Sequence, residues 1–225
     1  MKKLTLLITF VALSLLACKK QPLDKADKPK LPEDPMESAP VSGTTLGDNP
    51  NAEIICREVN AVLGYNQHVS LDVDADGNAD FNFFSILIHH NDKPHMYLMV
   101  SPKSAKSARV MVRDGEELVI NALWTQPLEK DELISETPVD GCIWTDALTK
   151  GFITGSSKTA QQESYTGLWA GKSDKFLGIR FKIDGNQHYG WIKLSHDKIS
   201  DKISLISYAY QKIAGKAIEA GHTAY

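Results

Sequence analysis

A segment near the end of the chain constrains the fold most strongly. Over residues 177–183 apolar side chains alternate with other residues, which is the period of a β-strand with one buried face. Asp184–Asn186 follows, and its Gly and Asn tolerate the positive φ that a tight hairpin turn requires. A second alternating run returns over 188–194. The segment therefore predicts an antiparallel β-hairpin.

Further short runs of β-branched and aromatic residues, bounded by turn residues, extend this pattern. They predict strands over 68–73, 80–89, 96–100, 108–112, 118–123 and 203–210, with a helical turn as the alternative for 118–123. Residues 53–63 fit both the helical and the strand period, and few other stretches carry an apolar stripe at helical spacing. The sequence therefore predicts an all-β protein, a single antiparallel β-sandwich or jelly-roll-like domain.

The N-terminus is typical of an export signal. Lys2 and Lys3 precede 14 nearly continuous apolar residues, a core too short to span a bilayer. The core ends in Leu-Leu-Ala-Cys at residues 15–18, which resembles the bacterial lipobox. An ordinary secretory signal with a chance cysteine is the alternative.

The lipobox resemblance has several implications. It implies that residues 1–17 are a signal peptide, that Cys18 carries the lipid, and that the lipid anchors the protein to a membrane. Lys19 follows the cysteine, and the resemblance to Gram-negative sorting rules then implies the outer membrane. Which face of that membrane the protein occupies stays open.

Residues 18–50 form a segment of different composition. Six of the ten prolines lie in it, charged residues fill the gaps, and large apolar residues are nearly absent. Such a stretch buries too little surface to offset its ordering entropy, so we expect a disordered, extended linker, with a structured arm packed on the domain as the alternative. Residues 51–225 then provide one β-sandwich domain.

The net charge and the cysteine count indicate which partners are excluded and which redox state the cysteines have. The net charge is −3, and no basic patch is dense enough to predict a nucleic-acid partner. After lipidation of Cys18 two cysteines remain, Cys56 and Cys142. In an oxidising envelope compartment this even number predicts a disulfide between them, with two buried free thiols as the alternative.

An acidic loop is the strongest local signal for chemistry. Between residues 72 and 80 carboxylates occupy relative positions one, three, five and nine, with Gly77 at position six for a sharp bend. Ca²⁺ prefers such hard oxygen ligands, and a loop that curls around the ion presents alternate side chains to it. The predicted ligands are Asp72, Asp74, Asp76 and Asp80 through their side chains and Asn78 through its backbone carbonyl.

This loop differs from an EF-hand. The position of the closing Glu is occupied by Phe83, inside an apolar strand, and no flanking helices are predicted. The loop resembles the shorter D-x-D-x-D-G-x-x-D loops of extracellular bacterial proteins, which implies a structural Ca²⁺ that pins two strands. Mg²⁺ is a poorer candidate because it keeps its waters and demands octahedral geometry. A polar turn without an ion is the alternative.

Four segments together resemble one class of bacterial secreted or surface-anchored β-domains. They are the run from His68 through the acidic loop to Phe81, Phe176–Phe181, His188–Ile192 with its His-Tyr-Gly-Trp sequence, and Ile218–Gly221. The resemblance implies an anchored all-β domain. It transfers no catalytic residue.

Three aromatic residues suggest a ligand surface. Tyr189 and Trp191 share one face of their strand, and Trp169 lies a short distance upstream. Such rings form platforms for sugars, although they more often cover the second face of a strand. We therefore expect a non-catalytic, calcium-stabilised protein that binds a glycan or another envelope protein. The alternatives are a hydrolase that acts on glycan or envelope polymer and a structural accessory subunit.

Overall fold

The computed structural model describes residues 39–45, 52–90, 93–103, 106–115, 121–158 and 162–223. The predicted signal peptide, Cys18 and most of the predicted linker lie outside these residues. The strands are β1 Thr44–Thr45, β2 Ile54–Leu63, β3 His68–Leu71, β4 Phe81–His90, β5 Lys93–Pro102, β6 Arg109–Arg113, β7 Ala122–Trp124, β8 Pro127–Leu128, β9 Leu133–Ile134, β10 Cys142–Trp144, β11 Lys150–Lys158, β12 Glu163–Thr166, β13 Lys175–Ile183, β14 Asn186–Asp197, β15 Lys202–Gln211 and β16 Ile218–Glu219.

These strands form two large sheets. The first has the order β1-β2-β15-β14-β13-β6-β10, with β8 also paired to β13. The second has the order β12-β11-β5-β4-β3, with β7 paired to β11 in the parallel sense. All other strand pairs are antiparallel, and β9 and β16 form a separate small sheet. The predicted all-β, antiparallel sandwich is confirmed.

The main hydrophobic core lies between the two large sheets. Leu177, Ile179 and Phe181 on β13 belong to the same fully buried cluster as Phe81 and Phe83 on β4. Burying each such side chain contributes roughly 1.5–3 kcal/mol relative to leaving it exposed. The alternation that the sequence shows therefore supplies the inner faces of both sheets.

The β13–β14 hairpin forms as predicted. The two strands pair over nine positions and are joined by a two-residue turn. Asp184 has φ 49° and Gly185 has φ 81°, so both turn residues lie in the left-handed region. Positive φ at both positions is the signature of a type I′ turn, whose twist matches that of the flanking strands.

Residues 53–63, which fit two periods, form the strand β2. It pairs with β15 from Ile203 opposite Leu63 to Gln211 opposite Ile54. Local periodicity did not distinguish helix from strand here, and the long-range partner decided it. Among the residues that the structure describes, no helix has the length and the apolar content to cross a bilayer.

The structured body starts earlier in the chain than the predicted residue 51. Val41 forms a parallel bridge with Leu71, and Thr44–Thr45 pairs with β2. Two further hydrogen bonds hold this segment, from Val41 N–H to the Ser70 carbonyl at 2.8 Å and from Asp72 N–H to the Val41 carbonyl at 3.2 Å. Residues 39–45 therefore belong to the domain, which corrects the predicted linker boundary at residue 50. Backbone pairing holds a polar segment that lacks an apolar pattern.

Candidate metal centre

The acidic loop connects the adjacent antiparallel strands β3 and β4. Asp72 directly follows β3, and Asp80 directly precedes β4. A hydrogen bond from the Asp80 N–H to the Leu71 carbonyl, 2.8 Å long, closes the loop at its base. Ala75 has φ 61° and Gly77 has φ 89°, so the chain reverses through two residues in the left-handed region. The bend predicted at Gly77 is confirmed.

Three carboxylates of the loop converge on one point. Asp72, Asp74 and Asp80 each offer an oxygen, and these oxygens lie within 4.8 Å of one another. Asp72 is 1% exposed and Asp80 is fully buried, while the side chain of Asp74 is 6% exposed. Two oxygens bound to one Ca²⁺ at ~2.3–2.6 Å can be at most about 5.2 Å apart, so this cluster could hold a metal ion.

The protein satisfies only one oxygen of each deeply buried carboxylate. Oδ2 of Asp72 accepts hydrogen bonds from Gly77 N–H at 2.8 Å and from the Ser42 hydroxyl at 3.2 Å. Oδ2 of Asp80 accepts one from Val73 N–H at 2.7 Å. Oδ1 of both residues is buried and forms no hydrogen bond within the described part of the chain. Because an unpaired buried polar atom costs about 1–3 kcal/mol, a ligand that bound both atoms would stabilise the folded chain.

Burial perturbs the acidity of these groups. It raises the pKa of Asp80 to about 7, the negative charges of Asp74 and Asp72 add to this rise, and the hydrogen bond from Val73 opposes it. Burial also raises the pKa of Asp74, which its contacts with Lys106 only partly offset. Without a cation, Asp80 therefore carries a proton in a substantial fraction of molecules near pH 7.

A lysine from another loop approaches the acidic loop. Lys106 follows β5, its side chain is 17% exposed, and its ammonium lies 3.3 Å from Oδ2 of Asp74. The same ammonium forms a close ion pair with Oδ2 of Asp76. Lys106 therefore supplies positive charge to one side of the loop. Because Lys106 is far from the loop in the sequence, the sequence did not predict this contact.

The Asp76 side chain lies outside the convergent cluster. Oδ1 of Asp76 accepts hydrogen bonds from the Asn78 backbone N–H at 2.9 Å and from its side-chain amide at 3.3 Å. Hydrogen bonds from Lys106 and Asn78 hold the pKa of Asp76 below its ordinary value. The structure thus brings three of the predicted ligands together, and it turns the side chain of Asp76 towards Lys106.

The loop contacts both sheets of the sandwich. The Tyr208 hydroxyl on β15 donates a hydrogen bond to the Asp72 carbonyl at 3.3 Å, and Ser42 contacts the same residue from the N-terminal segment. On the other side, the Lys103 N–H donates to the Asp80 carbonyl at 2.8 Å. Three chain segments that are distant in sequence therefore hold the loop that carries the cluster.

The predicted glycan platform is not present at the surface. Trp169 is fully buried, Tyr189 is 3% exposed and Trp191 is 2% exposed. Tyr189 and Trp191 pack in a second hydrophobic cluster, apart from the core between the sheets, together with Ile134 of β9 and Ile218 of β16. These rings fill a core layer, so the structure corrects this prediction. The prediction that Tyr189 and Trp191 share one face of their strand is confirmed, because Ile192 and Leu194 of β14 lie in the main core instead.

The predicted disulfide is not formed in the structure. Cys56 and Cys142 are both free thiols. Cys56 lies on β2 and Cys142 on β10, and four strands separate β2 from β10 in the sheet order. A disulfide needs Cα atoms about 4.4–6.8 Å apart, which neighbouring positions provide and such separated strands do not. Burial raises the pKa of both thiols.

A buried polar network joins the two sheets at another place. The Ser156 hydroxyl on β11 donates a 2.6 Å hydrogen bond to Oδ2 of Asp201 in the β14–β15 turn. Nε2 of His196 lies 3.4 Å from Oδ1 of the same carboxylate. Burial raises the pKa of Asp201, but the hydrogen bonds from His196 and Ser156 outweigh it and the pKa lies below its ordinary value. Since Ser156 is 45 residues from Asp201 in the chain, the sequence carried no signal for this network.

This network does not have the geometry of a nucleophile with its base. Nδ1 of His196 accepts a 2.9 Å hydrogen bond from Gly171 N–H, so the ring proton is on Nε2 and faces Asp201. The aspartate thus lies between the serine and the histidine, whereas a catalytic triad needs the histidine in the middle. Neither histidine nitrogen is free to take a proton from Ser156.

The chain matches no family model, no curated protein and no solved structure. Fold and site therefore define it only as an all-β sandwich with a buried cluster of three aspartates that could bind a metal ion.

Proposed function

We propose that the acidic loop binds one Ca²⁺ and that this ion stabilises the domain. The observation that carries the proposal is the pair of Oδ1 atoms on Asp72 and Asp80, buried and without hydrogen bonds in the described chain. Both belong to the cluster in which Asp74 offers the third oxygen. A cation coordinated there would satisfy both atoms and offset the mutual repulsion of the three carboxylates.

The donor set favours Ca²⁺ over other metals. All the candidate ligands are oxygens, which suit Ca²⁺ and Mg²⁺ and not the thiolate- and imidazole-bound transition metals. Ca²⁺ accepts six to eight oxygens in flexible geometry, whereas Mg²⁺ insists on octahedral coordination at ~2.0–2.1 Å. Three carboxylates, backbone carbonyls of a tight loop and water would complete the shell of Ca²⁺.

We further propose a non-catalytic binding protein that a lipid on Cys18 anchors to the outer membrane. The support is the lipobox-like sequence at residues 15–18 and the first paired residue of the body, Val41. The 22 residues between Cys18 and Val41 would reach up to ~75 Å if fully extended, which is enough to hold the domain clear of a membrane surface.

Calorimetric titration of the chelator-treated protein tests the metal. We expect one Ca²⁺ per chain, weaker binding of Mg²⁺, and loss of binding in Asp74→Asn. Asp140→Asn is the matched control, since it removes the same charge from an exposed residue outside the loop. Wild-type protein that gives no calcium heat, or Asp74→Asn that binds as wild type does, contradicts the proposal.

Metabolic labelling with palmitate tests the anchor. We expect the wild-type chain to carry label and to fractionate with the outer membrane, and Cys18→Ser to carry none. Release of unlabelled wild-type protein into the medium would refute the anchor without affecting the calcium proposal.

A further inference from the structure

A cavity opens between the two sheets at another position along β4. It has a volume of about 510 Å³, which is within the range of small-molecule sites. Strands β4, β5 and β11 of one sheet line it, and the β14–β15 turn of the other sheet and the β2–β3 turn close it. The acidic loop adjoins the start of β4, and Leu87, which lines the cavity, is six residues further along the same strand.

The wall of this cavity continues the inner face of the sandwich. Leu87, Met96 and Ser156 are direct cross-strand neighbours, and Met96 has the same parity as the core residues Leu98 and Val100 on its strand. Leu87 is nevertheless 48% exposed. An apolar side chain on an inner face that solvent reaches is a surface that a ligand could cover.

The rim adds an aromatic ring and charges of both signs. Tyr65, in the β2–β3 turn, is 66% exposed and lines the cavity. Lys158 and Lys202 also line it, and the ammonium of Lys158 lies 2.6 Å from Glu163 and 4.0 Å from Asp201. Glu163 is not part of the lining but neutralises Lys158, and Lys202 and Asp201 carry opposite charges, so the cavity has no net charge that would select an anion or a cation.

The base of the cavity is polar and rigid. Asp201 has a side chain that is 5% exposed, and the hydrogen bond from Ser156 fixes its orientation. The Ser156 oxygen donates its proton to this carboxylate and keeps lone pairs that can accept from a ligand. A ligand would thus meet acceptors at the base, ammonium donors at the rim and apolar surface between them.

We propose that this cavity binds a neutral saccharide. A sugar is uncharged, its hydroxyls both donate to acceptors such as Ser156 and accept from lysine ammonium groups, and its C–H faces stack on an aromatic ring such as Tyr65. An anionic ligand would gain no net attraction, and a purely apolar one would displace water from the polar base at Ser156 and Asp201 without replacing its hydrogen bonds. This inference rests on the proposed binding role and names its ligand class, but it does not depend on the metal ion.

Titration of the full-length protein with maltotetraose, cellotetraose, mannotetraose and tetragalacturonate tests the inference. We expect at least one neutral tetrasaccharide to bind and the acidic one not to bind better. Tyr65→Ala and Lys202→Met should each weaken binding by about tenfold or more, because each removes one rim contact. Leu148→Ala and Lys182→Met are the matched controls at exposed positions that do not line the cavity, and they should bind as wild type does.

The failures of the two proposals are distinguishable. Asp74→Asn at a temperature where it is folded should lose calcium and keep the saccharide, since the aspartate does not line the cavity. Calcium binding without binding of any neutral probe overturns the saccharide inference alone. Stronger binding of tetragalacturonate than of every neutral probe also overturns it, as does binding that the Tyr65 and Lys202 variants leave unchanged.

Discussion

Oδ1 of Asp72 and Oδ1 of Asp80 share one condition: both are buried and neither forms a hydrogen bond in the described chain, although Oδ2 of each residue accepts a backbone N–H. The described chain thus satisfies one oxygen of each carboxylate and leaves the other without a hydrogen bond. Since native proteins satisfy most buried polar atoms, two such exceptions in one loop are what a site that could bind a metal ion requires.

The first prediction concerns thermal stability. A ligand that binds only the folded state stabilises it by about 2.7 kcal/mol at 100 times its Kd. For a domain of this size we expect Tm to rise by roughly 5–10 °C between chelator and saturating calcium. Differential scanning calorimetry measures the rise, and Asp140→Asn should retain it. Equal Tm values in the two conditions would contradict the stabilising role.

The second prediction is that Asp80→Asn changes the stability of the protein in opposite directions with and without calcium. Asp80→Asn keeps an oxygen that can accept from Val73 N–H but removes a fully buried carboxylate charge. We expect the variant to be more stable than wild type in chelator at pH 7.5 and less stable than wild type in calcium. Urea unfolding in both conditions measures this reversal. If the variant is less stable in both chelator and calcium, the substitution has disrupted packing. The argument from the buried charge of Asp80 then fails.

The third prediction concerns the pH dependence of the metal-free protein. Burial raises the pKa of Asp80 to about 7, whereas an unfolded Asp titrates near ~3.9, so the folded state holds the extra proton between these values. The contribution of Asp80 to stability therefore falls as pH rises from about 4 to about 7, by about 4 kcal/mol in total.

Urea unfolding of wild type and Asp80→Asn across this range, in chelator, isolates the effect from the other carboxylates. The stability difference between them should grow in favour of the variant up to about pH 7 and then level off. A difference that is constant with pH would show that Asp80 titrates normally in the folded state.

The fourth prediction concerns Lys106. Its ammonium contacts Asp74, a candidate ligand, and Asp76, and a bound cation would repel it. Lys106→Met should therefore raise calcium affinity severalfold and lower the stability of the metal-free protein, because the loop loses its positive charge. Calorimetric titration and chelator-phase unfolding measure the two effects, with Lys182→Met as the charge control. Weaker calcium binding in Lys106→Met would mean that the lysine organises the site.

The fifth prediction concerns the thiols. Cys56 and Cys142 are free in the structure, so a Cys18→Ala variant that is unfolded without reductant should titrate two reactive thiols. In the folded protein we expect Cys142 to react faster, since Cys56 is 8% exposed and Cys142 is only half-buried. A count of zero thiols in the unfolded chain would show that Cys56 and Cys142 form the predicted disulfide.

Sequence reasoning located the strands well because their signal is local. The alternation over 177–183 and the Asp-Gly-Asn turn specify a hairpin whatever surrounds them, and the structure contains it. The same reasoning was ambiguous for Ile54–Leu63, where both periods fit and pairing with β15 decided the outcome. It also missed the pairing of residues 39–45, because backbone hydrogen bonds leave no pattern in side-chain type.

The aromatic residues show a second limit of local patterns. The period of a strand places Tyr189 and Trp191 on one face, but it does not say what covers that face. In the structure Ile134 of β9 and Ile218 of β16 belong to the cluster that surrounds these rings. A platform and a second core layer have the same sequence pattern, so only the tertiary structure distinguishes them.

By itself, the sequence determined an all-β chain with an acidic loop between two strands, because a two-residue period and a nine-residue spacing are properties of neighbours along the chain. The tertiary structure alone decided which carboxylates of the acidic loop meet. It also decided that this loop is contacted by Lys106, Ser42 and Tyr208. The network of Ser156, Asp201 and His196 was likewise visible only in the tertiary structure. The physical reason is that β-sheets bring together residues far apart in sequence, and the order of strands sets those contacts.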